Sequence, residues 1–301
     1  MTANTLKYSS AFTKLTERVW TGKHNRTMER LVARFHLGRR AYSFLESQRE
    51  YFSSNNAKKN LQISPKSLFE EVSAKKYVDQ IRQEGVAFGI NLPTSMVDEI
   101  YQYACTAPCY GTGTARDEGD FLITDVKNGY LREKHPIALA ELKDSTLMGC
   151  QAINNLVEDP LLLEVARNYL GYWPTKILRY MSWTLVSSLP DEQQKRLNEP
   201  VIYHYDIPSY NSVRIYFYIT DVDTFSGPHI MIKNSHDIKP VKMLFSPCQQ
   251  TDNAIYNYYG KEKEIIIEGN RGFGFFQDPY CFHKATTPIN SDRLLLQIRY
   301  F

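Results

Sequence analysis

The reading turns on VIYHYDIPSYNSVRIYFYIT, residues 201–220. It holds two short β-rich runs, VIYHYDI (201–207) and VRIYFYIT (213–220), parted by Pro208, Ser209, Asn211 and Ser212, residue types that stop strands and build turns. The same texture extends outward. ILRYMSWTLVSS (177–188) stands upstream, and HIMIK (229–233), KEIIIEG (263–269), GFGFF (272–276) and LLLQIRYF (294–301) follow, with Ser226–Gly227–Pro228 and Gly269–Asn270 as turn signals. Many short strands without intervening helices predict a sandwich or barrel over residues 173–301.

The first half has a different period. Met28, Leu31, Val32, Phe35, Tyr42 and Leu45 follow a helical repeat from Asn25 to about Tyr51, with Gly38 as an expected interruption and Arg26, Arg30 and Arg34 as a basic stripe. Residues 53–67 are polar and rich in breakers, so they read as a linker. Helices are expected over 67–85, from Pro93 to Tyr103, and from Asn154 to Tyr169 with Gly171 just beyond; VAFGI (86–90) reads as a strand and 105–130 as a long loop. The expected organisation is α+β. A basic helical extension and linker (1–66) precede one domain (67–301), whose helical support (67–172) packs against a jelly-roll core (173–301).

Composition bounds the function. The chain of 301 residues carries a net charge of +3, no apolar run long enough to span a membrane, and no apolar stretch near its start of the kind a signal peptide needs. A cytoplasmic protein with reduced thiols is expected, because the five cysteines form an odd, scattered set. Residues 1–40 hold nine Lys or Arg against Glu17 and Glu29. Such a start suits phosphate, an acidic carrier or peripheral contact with a membrane, or it is a solvated helix face. Nucleic acid is not an expected partner, since the rest of the chain has near-balanced charge and no basic-aromatic platform.

In VIYHYDI, His204 and Asp206 stand two apart, so on a strand both side chains point to one face and can share a metal ion. An HxD pair alone is weak in a chain with seven histidines. His283 in QDPYCFHKATT is the best third ligand, and two imidazoles plus one carboxylate leave positions open on a metal such as iron. Arg293, ten residues on, offers a fixed fork for the far carboxylate of a dicarboxylic co-substrate. Arg214, Tyr216 and Tyr218 share one face of their run, although a period of two cannot say whether that face lines a pocket or meets solvent. His229 and His236 are read as turn residues, His24, His36 and His135 as surface residues. Arg299 is read as too far along the last strand to stand in for Arg293.

The order of these pieces resembles the phytanoyl-CoA dioxygenase group of iron(II)- and 2-oxoglutarate-dependent oxygenases. The stretches that carry it are YHYD (203–206), RIYFYITDVD (214–223), SGPHIMIKNSH (226–236) and FQDPYCFHKATTPINSDRLLLQIRY (276–300), with weaker similarity over 83–100 and 158–171. The resemblance implies a double-stranded β-helix of the cupin type. It also implies iron(II) on His204, Asp206 and His283, and 2-oxoglutarate and O2 as co-substrates. The co-substrate's distal carboxylate would lie at Arg293, with the Thr286 hydroxyl nearby. The expected reaction is hydroxylation of a C–H bond of a small-molecule or carrier-linked, phosphate-bearing substrate, with release of succinate and CO2. Desaturation, cyclisation or epimerisation on the same triad, or a non-catalytic binding module on this scaffold, stay open at the level of sequence.

Overall fold

The structure, a computed structural model, describes residues 24–52, 61–69, 73–190, 193, 197 and 201–301. Most of the basic start (residues 1–23) and residues 53–60 of the expected linker lie outside the described residues. Two helices come first, α1 (His24–Ala33) and α2 (His36–Phe52). The break falls at Arg34–Phe35 rather than at Gly38, which lies inside α2. Gly38 passes so close to α1 that a Cβ there would meet the Val32 carbonyl oxygen at 2.4 Å, so the glycine permits the tight corner instead of ending the helix.

The next helix is shorter than expected. Ser67 and Leu68 donate to the Asp159 carboxylate at 3.0 and 2.7 Å, which holds them out of a helix, and α3 spans Ala74–Glu84. Gly85 ends it in the left-handed region, with φ of 81° and its N–H on the Ile81 carbonyl. Strand β1 (Val86–Asn91) and helix α4 (Thr94–Thr106) follow. The helix expected over 154–169 is two, α5 (Gln151–Val157) and α6 (Pro160–Leu170). Asp159 caps the second by accepting from the Leu161 and Leu162 amides, and Pro160 at its first position has no amide hydrogen to continue the first.

The strands are β2 (Tyr110–Gly111), β3 (Leu139–Leu142), β4 (Ile177–Thr184), β5 (Val213–Tyr218), β6 (His229–Ile232), β7 (Glu264–Ile267), β8 (Phe273–Gln277), β9 (His283–Ala285) and β10 (Arg293–Tyr300). They form a seven-stranded sheet, in the order β1-β8-β5-β10-β4-β3-β2, and a three-stranded sheet, β7-β6-β9. Every pairing is antiparallel. From β4 onward the chain alternates between the two: β4 in the large sheet, the His204 segment bridged to β9, β5 back in the large sheet, β6 and β7 in the small one, then β8, β9 and β10 by turns. That winding is a double-stranded β-helix, the jelly roll expected from sequence. The support is less purely helical than expected, since β1 extends one edge of the large sheet and β3 with β2 the other. Part of the 105–130 loop is likewise ordered, with residues 126–127 and 130–131 pairing in a small hairpin.

Parity on β5 and β10 sorts the side chains. Ile215, Phe217, Leu294, Leu296 and Ile298 pack outward against the helices, in one core with Tyr77, Ile81, Val97 and Leu162. Tyr216, Tyr218 and Leu295 face inward, between the sheets, with Met231, Ile267 and Phe275. Both faces are buried, which is why β5 is nearly continuous in apolar and aromatic residues. No helix among the described residues is long and apolar enough to cross a membrane. The five cysteines are all free thiols.

Candidate metal centre and its cavity

The VIYHYDI run is not a full strand. His204 makes one bridge, exchanging backbone hydrogen bonds with His283 at 2.9 and 2.8 Å, and the Asp206 amide then donates to the Pro279 carbonyl at 2.9 Å. Pro208 and the turn that follows stop the ladder there. The bridge is sufficient for placement: it sets the two imidazoles side by side, ring centroids 4.5 Å apart, with Asp206 on the same side two residues on.

His204, Asp206 and His283 are the group among the described residues able to hold a metal ion, each offering one ligand atom, all within 4.8 Å of one another. Nδ1 of His204 lies 2.8 Å from the Ile202 carbonyl, and Nδ1 of His283 lies 2.8 Å from the Cys281 carbonyl. A carbonyl only accepts, so each ring carries a proton on Nδ1, which leaves Nε2 as the atom for a metal. The His283 Nε2 stands 3.7 Å from Asp206 Oδ2. Burial, aided by the neighbouring His204 ring, pushes His283 down to about 3 against the pull of Asp206, so it stays a neutral ligand. Burial opposes ionisation of Asp206, yet the Arg214 guanidinium, donating to Oδ2 at 2.6 Å, and the two imidazoles hold its carboxyl well below the usual range.

These groups open onto a cavity of about 360 Å³ between the sheets. Arg293 lies in its wall, buried at the start of β10. One of its terminal nitrogens donates to Thr184 Oγ1 at 3.0 Å and the other to the Gly227 carbonyl, while its Nε has no partner among the described residues. Arg214 and Tyr216 line the same cavity, the tyrosine ring stacked on Phe275 with centroids 4.8 Å apart. Tyr218 lies deeper, donating its hydroxyl to the Ile267 carbonyl at 2.8 Å. Thr286 turns its hydroxyl to the Pro228 carbonyl at 2.9 Å and stands outside the cavity lining.

Two readings change and one is extended. His229 opens strand β6 instead of sitting in a turn, and its ring stacks on His283 at 5.3 Å in the cavity wall. Burial, with His283 and Arg293 close by, keeps it well below the ordinary histidine range. His236 lies in a turn, as expected, and is buried, while His36 and His135 are half-buried beside Asp237 and Glu118; the His24 side chain lies outside the described residues. Arg299 lines the cavity with Arg293, as do Gln297, Tyr180 and Glu141. The length of β10 does separate the two arginines, but the cavity runs along the strand, and positions 293, 295, 297 and 299 share its inner face. Parity carried that signal in the sequence.

Of the basic stripe, the Arg26 side chain lies outside the described residues. Arg34 donates to the Leu244 and Ser246 carbonyls at 2.7 and 2.8 Å. Arg30 and Arg34 line a second cavity, about 320 Å³, whose wall includes Asp206 and Arg214.

No protein-family model matches the chain, and no curated protein matches its sequence. Solved structures do share its architecture. The epimerase SnoN in complex with Fe3+, alpha ketoglutarate and nogalamycin RO is 12% identical and superposes with a TM-score of 0.51 over 76% of this chain and 83% of its own. EvdO2 from Micromonospora carbonacea var. aurantiaca, complexed with 2-oxoglutarate, is 15% identical, with a TM-score of 0.50 over 78% of this chain and 92% of its own. At such identities the likeness speaks for the fold.

Proposed function

We propose that the chain is an iron(II)- and 2-oxoglutarate-dependent oxygenase that hydroxylates a C–H bond of a small molecule. The observation that carries this reading is the convergence of two Nδ1-tethered imidazoles, one ionised carboxylate and a buried arginine on one cavity. The order of the motifs likewise supports kinship with the phytanoyl-CoA dioxygenase group. Iron and 2-oxoglutarate together supply O2-driven oxidation of a bound C–H group, the co-substrate leaving as succinate and CO2.

The chain's own residues then have distinct tasks. His204, Asp206 and His283 hold the metal. Arg214 donates to Asp206 Oδ2, the oxygen that also stands 3.7 Å from His283 Nε2, and so fixes the carboxylate beside the imidazoles. Arg293 grips the distal carboxylate of 2-oxoglutarate beside the Thr184 hydroxyl, and its unpartnered Nε marks the donor left for that role. Thr286 acts one step removed, holding the Gly227–Pro228 turn whose Gly227 carbonyl anchors Arg293. His229, Tyr216 and Phe275 form an aromatic wall that keeps water from the metal. A carrier-linked substrate would enter past α1, where Arg30 borders the cavity that reaches Asp206.

Release of labelled CO2 from carboxyl-labelled 2-oxoglutarate tests the reading. It should require Fe(II) and vanish in Asp206→Ala. Unchanged release in that variant would sink it.

A further inference from the structure

We propose that the end of the cavity opposite Arg293 is a second anion site, at which Arg299 and Gln297, with Arg214 behind them, bind a carboxylate of the primary substrate. The inference rests on the function proposed above and names the substrate's class.

The inner face of β10 carries Arg293, Leu295, Gln297 and Arg299 along one cavity. Arg293 at one end is committed to the co-substrate. Arg299 at the other end stands directly across the ladder from Arg214. Like charges placed opposite one another across a sheet destabilise it, more so when burial removes water. Asp206, a carboxylate in the same wall, is engaged by Arg214 at 2.6 Å. Arg299 donates only its Nε, to Gln297 Oε1 at 3.0 Å, and its terminal nitrogens have no partner among the described residues. Its guanidinium lies over the Tyr180 ring, 4.2 Å from the centroid. Glu141, the other acid in the wall, accepts the Tyr180 hydroxyl and so fixes the ring beneath the arginine.

The geometry leaves a planar, oriented fork with two free donor nitrogens. The bond to Gln297 Oε1 also fixes that amide, so its Nε2 is a third donor beside the fork. A planar carboxylate meets such donors in two parallel bonds. Charge points the same way. Three arginines (214, 293, 299) face two carboxylates (Asp206, Glu141) across the cavity. A divalent metal and a dianionic co-substrate leave that imbalance as it stands. One substrate carboxylate cancels it and shields Arg299 from Arg214, whereas a phosphate dianion overshoots.

The test is calorimetric titration of the anaerobic iron(II)·2-oxoglutarate protein with hexanoate, hexanamide and inorganic phosphate. The co-substrate keeps Arg293 occupied. Hexanoate should bind at least about tenfold tighter than hexanamide, and Arg299→Leu should bring the two level. The visible iron–2-oxoglutarate band should be as strong in Arg299→Leu as in the parent protein. Arg299→Gln, which keeps a polar side chain of similar reach, carries the test if the leucine variant does not fold. Equal binding of acid and amide, or hexanoate binding indifferent to both variants, overturns the site while the band upholds the oxygenase reading. Phosphate binding tighter than hexanoate, and lost with Arg299, overturns the carboxylate assignment. No band in the parent protein overturns the oxygenase reading, and this inference with it.

Discussion

Arg293 illustrates how one residue's surroundings define its work. It is buried, its terminal nitrogens are fixed by Thr184 and Gly227, and burial lowers its affinity for its own proton, a cost that an incoming carboxylate relieves. Replacing it by leucine should weaken 2-oxoglutarate binding by about 2–4 kcal/mol, roughly 30- to 1000-fold, measurable by calorimetry on the metal-loaded protein. A change under about threefold would mean that the carboxylate lies elsewhere. His204, Asp206, His283 and Arg293 were all legible in the sequence, because parity and motif order suffice to nominate them. Arg299 stands apart from Arg293 along β10, as expected, but its place in the cavity was missed, since rise per residue measures separation along a strand and not the length of the cavity beside it. The tether of each imidazole to a carbonyl two residues back had no sequence signal, because it depends on the rotamer that the bridge imposes.

At the scale of elements, the C-terminus of α3 braces the segment that delivers His283. The Gly85 carbonyl accepts from the Asp278 amide at 2.9 Å, and the Glu84 carbonyl accepts from the Asn234 amide at 3.0 Å. A Cβ at Gly85 would fall 2.2 Å from Cys281 Sγ and 2.9 Å from His236 Nδ1, on a backbone with φ of 81°. Gly85→Ala should therefore lower stability by about 1–3 kcal/mol in denaturant unfolding and weaken metal binding as well. Gly89→Ala is the control: its φ is 97°, but a Cβ there meets nothing within 4 Å, so it should lose only the smaller backbone term and leave the metal undisturbed. Equal losses in both would show that the contact with Cys281 is immaterial. The β-rich second half was readable from period and turn residues. The truncated VIYHYDI run was not, because a single bridge and a regular strand share the same local pattern. The start of α3 was missed because Asp159, some ninety residues away, claims the Ser67 and Leu68 donors.

Across the whole molecule, the N-terminal helices are tied to the jelly roll through a buried pair. Arg39 of α2 meets Asp278 at 3.0 Å and donates to the His236 carbonyl at 2.8 Å, while Tyr169 of α6 donates its hydroxyl to the same carboxylate at 2.5 Å. Arg39→Met leaves Asp278 charged and buried without its partner, and should cost about 3–5 kcal/mol. Burial opposes ionisation of Asp278, yet Arg39 leads the groups that hold it at about 2, below the ordinary 3.8. Because the unfolded chain binds this proton first, the pair stabilises fully above about pH 4, and the gain is lost as pH falls through about 2. Thermal unfolding followed between pH 5 and about 2 should show that loss in the parent protein and a shallower one in Asp278→Asn. Identical slopes would mean that the pair does not couple folding to protons.

The central claim is that His204, Asp206, His283 and Arg293 together hold iron(II) and 2-oxoglutarate. Its most direct test is to add both, without oxygen, to the purified protein and look for the visible charge-transfer band of the chelate. The band should saturate at one equivalent of metal, disappear in His204→Ala and His283→Ala, and need far more 2-oxoglutarate in Arg293→Leu. A folded, metal-loaded protein without the band, or one whose band is untouched by loss of His204, would contradict the account.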